Sequence, residues 1–304
     1  MEEMIREALA AYGMDEAKTE LIRHNENITC KVEHQGNVYV LRIHCPVEGF
    51  STALVAAEKD DRTLFHGETE LLRHMAQNGF DGLQKPVANL NGAYVTHLQT
   101  GAPAMLLTWV EGRPLTKEEG SQYAKELGSL ACRIYRATEG FKGERLAYDS
   151  DLTDRMIAEI RLAVEQEHIA AAAGDICIRE LEAAKAAQQR LSATRVVHAD
   201  LSLGNILLTE NGLIPIDFSM SGYGSLAQEV GMLISNYQDD DDIAALLAGV
   251  AQAGETVDAA DAELFLAYSV LLFICAQHSR FYTEEWFAGA LERWCETLFV
   301  HSVR

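Results

Sequence analysis

Basic side chains are scarce: 25 Lys and Arg stand against 46 Asp and Glu in 304 residues, a formal net charge of −21. A field of that sign repels phosphate backbones and anionic bilayers, which argues against nucleic acid or a membrane as partner. It suits a cationic small molecule, and equally an acidic protein kept soluble by its charge. C-x-x-C spacing is missing. Cys30, Cys45, Cys132, Cys177, Cys275 and Cys295 are scattered, so neither a zinc ribbon nor a disulfide framework is expected, and they read as reduced, buried small residues of a cytoplasmic protein. The opening Met-Glu-Glu-Met-Ile-Arg lacks the basic-then-apolar order of a signal peptide. The strongest apolar run, 264–276, has thirteen residues, too few to cross a bilayer and suited to a buried core helix. Internal repeats, low-complexity tracts and flexible interdomain linkers are also lacking. With 48% hydrophobic residues the chain can bury a large core, and its length exceeds the usual single domain, so two lobes with a cleft between them are expected.

The informative segment is Val-Val-His198-Ala199-Asp200-Leu-Ser-Leu-Gly-Asn205-Ile-Leu-Leu, followed by Ile214-Pro215-Ile216-Asp217-Phe218. Phosphoryl transfer needs a carboxylate to orient and deprotonate the attacking hydroxyl, and an amide oxygen plus a second carboxylate to hold magnesium on the phosphates. Asp200 and Asn205 match the spacing of an H-x-D-x-x-x-x-N loop, and Asp217 stands where the Asp of a D-F-G triplet would. Each part alone could be a turn or a strand end; the joint spacing is what singles them out.

The segment resembles the aminoglycoside phosphotransferase and choline kinase family, a branch of the protein-kinase-like fold, and other landmarks follow in order along the whole chain. Asn25-Glu26-Asn27-Ile-Thr-Cys-Lys-Val32 is similar to that family's first hairpin, Val38-Tyr-Val-Leu-Arg42-Ile-His44 to its third strand, and Glu68 to the acidic partner on the next helix. Leu106-Leu107-Thr-Trp109-Val110-Glu111-Gly112 looks like the hinge where backbone groups hold adenine, and Leu127-Gly128-Ser-Leu-Ala131 like the helix before the catalytic segment. The resemblance implies ATP and Mg2+ as cofactors and a small-molecule hydroxyl as acceptor. It assigns Asp200 as base, Asn205 and Asp217 as metal ligands, and Arg42, Glu68, Asn27, Val32, Leu107, Trp109 and Val110 to the nucleotide. With Val32 as roof of the adenine site, strand alternation sends Lys31 to solvent. His198 is expected to be structural, bonded to backbone near the metal-binding segment.

Departures from the family pattern are specific. Arg42 stands where protein kinases place the lysine that contacts the nucleotide phosphates, a planar fork instead of a compact ammonium, although Tyr-Val-Leu-Arg is familiar within this branch. Ala199 replaces Gly, which costs function only if that position needs a positive φ. Asp217-Phe218 is followed by Ser219, with no Ala-Pro-Glu segment as in eukaryotic-type protein kinases. Glu229 is expected to fix the loop by accepting backbone hydrogen bonds. Tyr223, Tyr237, His278, Arg280, Tyr282 and Trp286 are candidates for the acceptor pocket. Two rival functions remain beside the small-molecule kinase: a nucleotide-binding pseudokinase, and a protein-serine kinase of the same branch.

The expected fold class is α+β, two-lobed and protein-kinase-like, with a small antiparallel-sheet lobe and hinge over 1–112 and a larger, mainly helical lobe over 113–304. Helices are expected over 2–12, 63–78 with Gly79 as stop, 117–138, 151–191 with an interruption near Gly174, 226–236, 243–253 capped by Asp239 to Asp242, and 261–300 with a break near Tyr282. A hairpin turn is expected at Gly36-Asn37.

Overall fold

A computed structural model describes residues 1–48, 53–57, 59–191 and 193–301. Helix α1 (Glu2–Ala11) leads into strands β1 (Lys18–His24), β2 (Asn27–His34) and β3 (Asn37–His44). The β2–β3 turn consists of Gln35 and Gly36, with φ of 49° and 80°, one residue earlier than the Gly36-Asn37 expectation. Two successive positive φ values are what a two-residue hairpin matched to strand twist requires, and Asn37 already pairs with His34.

Short helix α2 (Ala53–Ala56) and α3 (Asp61–Gln77) follow, then β4 (Pro86–Val87), β5 (Thr96–His97) and β6 (Pro103–Thr108). Helix α3 starts two residues earlier than its apolar spacing indicated, because the Asp60 side chain accepts the Thr63 backbone N–H and so caps it. The strands form one sheet in the order β1-β2-β3-β6-β4, with β5 also on β6, all pairs antiparallel. Its two faces divide cleanly. Ile28, Cys30, Val32, Leu41, Ile43 and Leu106 pack under α1. Val40, Met105 and Leu107 face the other way, into a core shared with α3 and the helices beyond.

After β7 (Arg113–Pro114) the chain is mainly helical: α4 (Lys117–Gln122), α5 (Ala124–Ala137), β8 (Leu146–Ala147), α6 (Ser150–Glu165), α7 (Ala171–Arg190), β9 (Arg195–Val197), a 3-10 turn (Leu203–Asn205), β10 (Ile206–Thr209), β11 (Gly212–Pro215), β12 (Gly222–Gly224), α8 (Leu226–Ile234), α9 (Asp240–Gln252), α10 (Ala259–Phe281) and α11 (Glu285–Thr297). The break between α6 and α7 lies at residues 166–170, where Glu167 has φ 61°; Gly174 is inside α7. A Cβ there would sit 2.4 Å from Val164 Cγ2, so this glycine serves close packing and not a helix end. Helix α9 begins at Asp240 and not Ile243. Asp239, its N-cap, makes no side-chain cap hydrogen bond; the acidic run forms the first turn, where the helix dipole favours it, and Asp242 accepts from Ser121 Oγ at 2.6 Å.

Helix α10 has 23 residues and by length and composition is apolar enough to cross a membrane, longer than the thirteen-residue run suggested. Its Leu264, Phe265, Tyr268, Leu271 and Ile274 pack with Leu152, Met156 and Ile160 of α6 and Leu181 of α7 in a second core. Each such aliphatic side chain removed from water contributes about 1.5–3 kcal/mol, enough in sum to hold the helices that carry the loops between β9 and β12.

Candidate active site

The loop after β9 is built around Glu229, buried on α8. Its carboxylate accepts the backbone N–H groups of His198 at 3.0 Å and Ala199 at 2.8 Å, the structural role expected of it. Ala199 has φ 59°, so this position does require the left-handed region, and an alanine holds it at a strain of about 1–2 kcal/mol. Burial pushes Glu229 up to about 7 despite those two donors. His198 is fully buried. Its Nδ1 accepts the Asp200 N–H at 3.3 Å, which leaves Nε2 to donate to the Ile216 carbonyl at 3.0 Å. Burial lowers this imidazole to about 4, so it is a neutral strut between the two loops.

Asp200 follows. The Asn205 amide nitrogen donates to its Oδ2 at 2.7 Å and to its carbonyl at 3.0 Å, and with that nitrogen committed the carbamoyl oxygen is what Asn205 can offer a metal. Burial pushes the Asp200 carboxyl up to about 7, the Asp217 charge adds to the rise, and Asn205 and Arg23 oppose it. An exposed carboxylate titrates at about 4; enclosure is what sets Asp200 apart. The Asn205 carbonyl takes the Ile216 N–H at 2.9 Å, tying the loop after β9 to Asp217, which itself has φ 64°.

On the opposite wall Arg42 Nη1 meets Glu68 Oε1 at 2.5 Å, both side chains buried. Arg42 Nη2 lies 3.4 Å from Asp217 Oδ1, and Arg23 Nη2 lies 2.6 Å from Asp217 Oδ2. Burial alone would raise the Asp217 carboxyl, but Arg42 and then Arg23 outweigh it and hold the group below its ordinary value. Asp217 Oδ1, Arg42 Nη2 and Asn27 Oδ1 are buried without a hydrogen-bond partner among the described residues. Arg42 Nη2 and Asp217 Oδ1 face each other as charges without a hydrogen bond, and buried polar atoms left so are costly unless a ligand completes them.

A cavity of about 340 Å³ joins several of these groups: Arg23, Thr29, Arg42, Asn205 and Asp217 line it together with the apolar Val40, Trp109, Val110, Leu207 and Ile216. Leu107 pairs with Val40 one layer behind, inside the core. Asn27 stands two residues before Thr29 on the same strand face. Val32 does not: it packs against the α1 side of the sheet. Strand alternation holds with the opposite phase: Lys31, not Val32, points to the cleft, with its ammonium 5.3 Å from the Trp109 ring centre.

The pocket candidates do not converge on Asp200. Tyr223 and Tyr237 hydroxyls are spent on the carbonyls of Gly143 and Gly120. Buried His278 lies between His168 and Glu159, Tyr282 stacks on His168, and Arg280 and Trp286 lie against Phe281.

Three contributors escaped sequence reading. Arg23 is one. Glu26, at the hairpin tip, is near enough to Arg42, Asp217 and Glu68 to feel their charges, and burial pushes it to about 7. Arg145 is fully buried and donates to the carbonyls of Leu64, Phe218, Ser219 and Ser221 at 2.7–3.0 Å, pinning the segment after Asp217 to α3, the helix that carries Glu68. No local motif marks it.

A family model described as the APH phosphotransferase enzyme family matches residues 19–264. An amicoumacin kinase of Bacillus subtilis (strain 168) is 24% identical over 248 residues, 77% of this chain and 68% of that protein. Among solved structures, an amicoumacin kinase in complex with AMP-PNP, Ca2+ and Ami superposes with a TM-score of 0.77 at 18% identity, covering 98% of this chain and 92% of that one. A microcompartment-associated aminopropanol kinase gives 0.73 at 18% identity over 100% and 97%, and the choline kinase LicA from Streptococcus pneumoniae 0.69 at 12% over 99% of each. These neighbours have the two-lobed protein-kinase-like architecture expected here.

Proposed function

This chain belongs to the APH phosphotransferase enzyme family and is a kinase, and on that premise we propose that it moves the γ-phosphoryl group of ATP, with Mg2+, to a hydroxyl of a small molecule such as an amino sugar, amino alcohol or sugar. The observation that carries the reading is the meeting of Asn205, Asp217 and Arg42 on one cavity that Trp109 and Val110 also line, with Asp200 held against Asn205 by a 2.7 Å hydrogen bond.

In this reading the lobe over 1–112 supplies the nucleotide wall and hinge, and the lobe over 113–304 the catalytic loops. Trp109 and Val110 flank the base, with Val40 as the apolar roof that Val32 does not provide. Arg42, oriented by Glu68, holds phosphate oxygens. Asn205 Oδ1 and an Asp217 carboxylate oxygen are the protein's ligands to magnesium, and the orphaned Asp217 Oδ1 suits that use. Magnesium bound there offsets the charge on the phosphates. Asp200 accepts the proton of the acceptor hydroxyl as its oxygen attacks the γ-phosphorus and ADP leaves. The net charge of −21 favours an amine-bearing acceptor by steering, and goes with a cytoplasmic enzyme that takes neither nucleic acid nor membrane as partner.

The test is incubation with Mg2+ and γ-labelled ATP across a panel of hydroxylated amines and sugars. Label in a small molecule, lost in Asp200→Asn, is expected. Label on polypeptides alone would make it a protein kinase, and nucleotide binding without transfer to any acceptor a pseudokinase.

A further inference from the structure

Strand β1 pairs with β2 as Leu21 to Cys30, then Arg23 to Thr29, skipping Ile22 in a bulge. Continuous pairing would have set Arg23 opposite Ile28, whose side chain packs under α1. The extra residue turns Arg23 to the cleft face instead, a re-aiming that bulges achieve. Arg23, Thr29 and Arg42 thereby form one rung of the sheet, and both guanidinium groups reach Asp217, one at each carboxylate oxygen.

Their circumstances differ. Arg42 is buried and engaged by Glu68 and Asp217, with Glu26 close by, so much of its charge is offset before any ligand enters. Arg23 is half exposed, and among the described residues its ion-pair partner is Asp217 alone. Among the described cavity-lining residues, Arg23 and Arg42 are the cations. A metal on Asp217 Oδ1 would take over the charge balance that Arg23 supplies at Oδ2, and a planar five-donor fork released beside a polyphosphate finds acceptors that fit it.

Resting on the kinase reading, we propose that Arg23 is a second phosphate-binding residue, which guards Asp217 in the open cleft and transfers to the terminal phosphates of the nucleotide when metal takes its place. The bulge at Ile22 is the feature that makes this exchange possible.

The experiment compares wild type, Arg23→Ala and Arg23→Lys for binding of AMP-PNP and of AMP at saturating Mg2+ by calorimetry, with melting curves to establish folding. Because the side chain is half exposed on an edge strand, all three should fold. AMP-PNP affinity should fall at least fivefold in Arg23→Ala and partly recover in Arg23→Lys, while AMP, lacking the terminal phosphates, changes less than twofold. Equal AMP-PNP affinity in wild type and Arg23→Ala would overturn the proposal, as would an equal loss for AMP. A wild-type protein that bound neither nucleotide would instead remove the kinase reading on which the proposal stands.

Discussion

The Asn205 amide donates to the Asp200 carboxylate at 2.7 Å and to its carbonyl oxygen at 3.0 Å, so the proposed base and the proposed metal ligand are locked to each other before any substrate arrives. A base held this way is oriented by the loop itself, which is the positional part of general base catalysis.

Asp200→Asn keeps the shape and removes the proton acceptor. Turnover should fall by roughly 10²–10⁴-fold, while AMP-PNP binding stays within about twofold, because nucleotide contacts are assigned to other residues. Steady-state kinetics with a panel-identified acceptor, beside calorimetry, separates the two effects. Retained turnover would remove Asp200 from its role.

Burial holds Asp200 at about 7 in the open site, and a base must be ionised to act. kcat/KM should therefore rise as pH increases through about 7 and level off above it. Stability has the opposite sign. A carboxyl raised in the folded state favours folding below its unfolded value near 4, and that contribution is lost as pH climbs through about 7. Asp200→Asn should accordingly melt higher than wild type at pH 8, with the gap closing towards pH 5. A rate profile flat from pH 5 to 9 would contradict the assignment.

Ala199 occupies φ 59° under the grip of Glu229. Ala199→Gly relieves about 1–2 kcal/mol of left-handed strain but gives back about 0.4–1 kcal/mol through the looser unfolded chain, so a gain of up to about 1.5 kcal/mol in urea unfolding is expected with kcat unchanged. A clear loss of stability would show that the methyl group packs productively.

Arg145→Met strips four carbonyls of a buried donor. The expected loss is about 3 kcal/mol or more, together with a fall in kcat as the segment after Asp217 loosens. A stability change below about 1 kcal/mol would mean that water replaces the guanidinium.

What the chain declared in advance was local. His198, Asp200, Asn205 and Asp217 lie within twenty residues of each other in sequence, and chemistry that depends on such short spacing survives being read as a string. Arg42 and Glu68 are legible only through the family resemblance of the strand and helix that carry them. Val32 was misplaced because alternation gives two faces but not which one the cleft owns; that is decided by α1 covering Ile28, Cys30 and Val32. Arg23 and Arg145 meet their partners 194 and 73 to 81 positions away, and the bulge that aims Arg23 has no glycine to announce it. Gly174 was read as a break when it is a contact, since a glycine inside a helix and one that ends it look alike until the neighbouring helix is known.

If Asn205 and Asp217 share one metal on a nucleotide whose γ-phosphate faces Asp200, a crystal structure with Mg2+ and AMP-PNP will show it. A single ion ligated by Asn205 Oδ1, an Asp217 oxygen and phosphate oxygens is expected, with adenine between Val40 and Leu207 and Asp200 on the open side of the γ-phosphate. Nucleotide bound in another cavity, or metal on Asp217 without Asn205, would contradict that shared site.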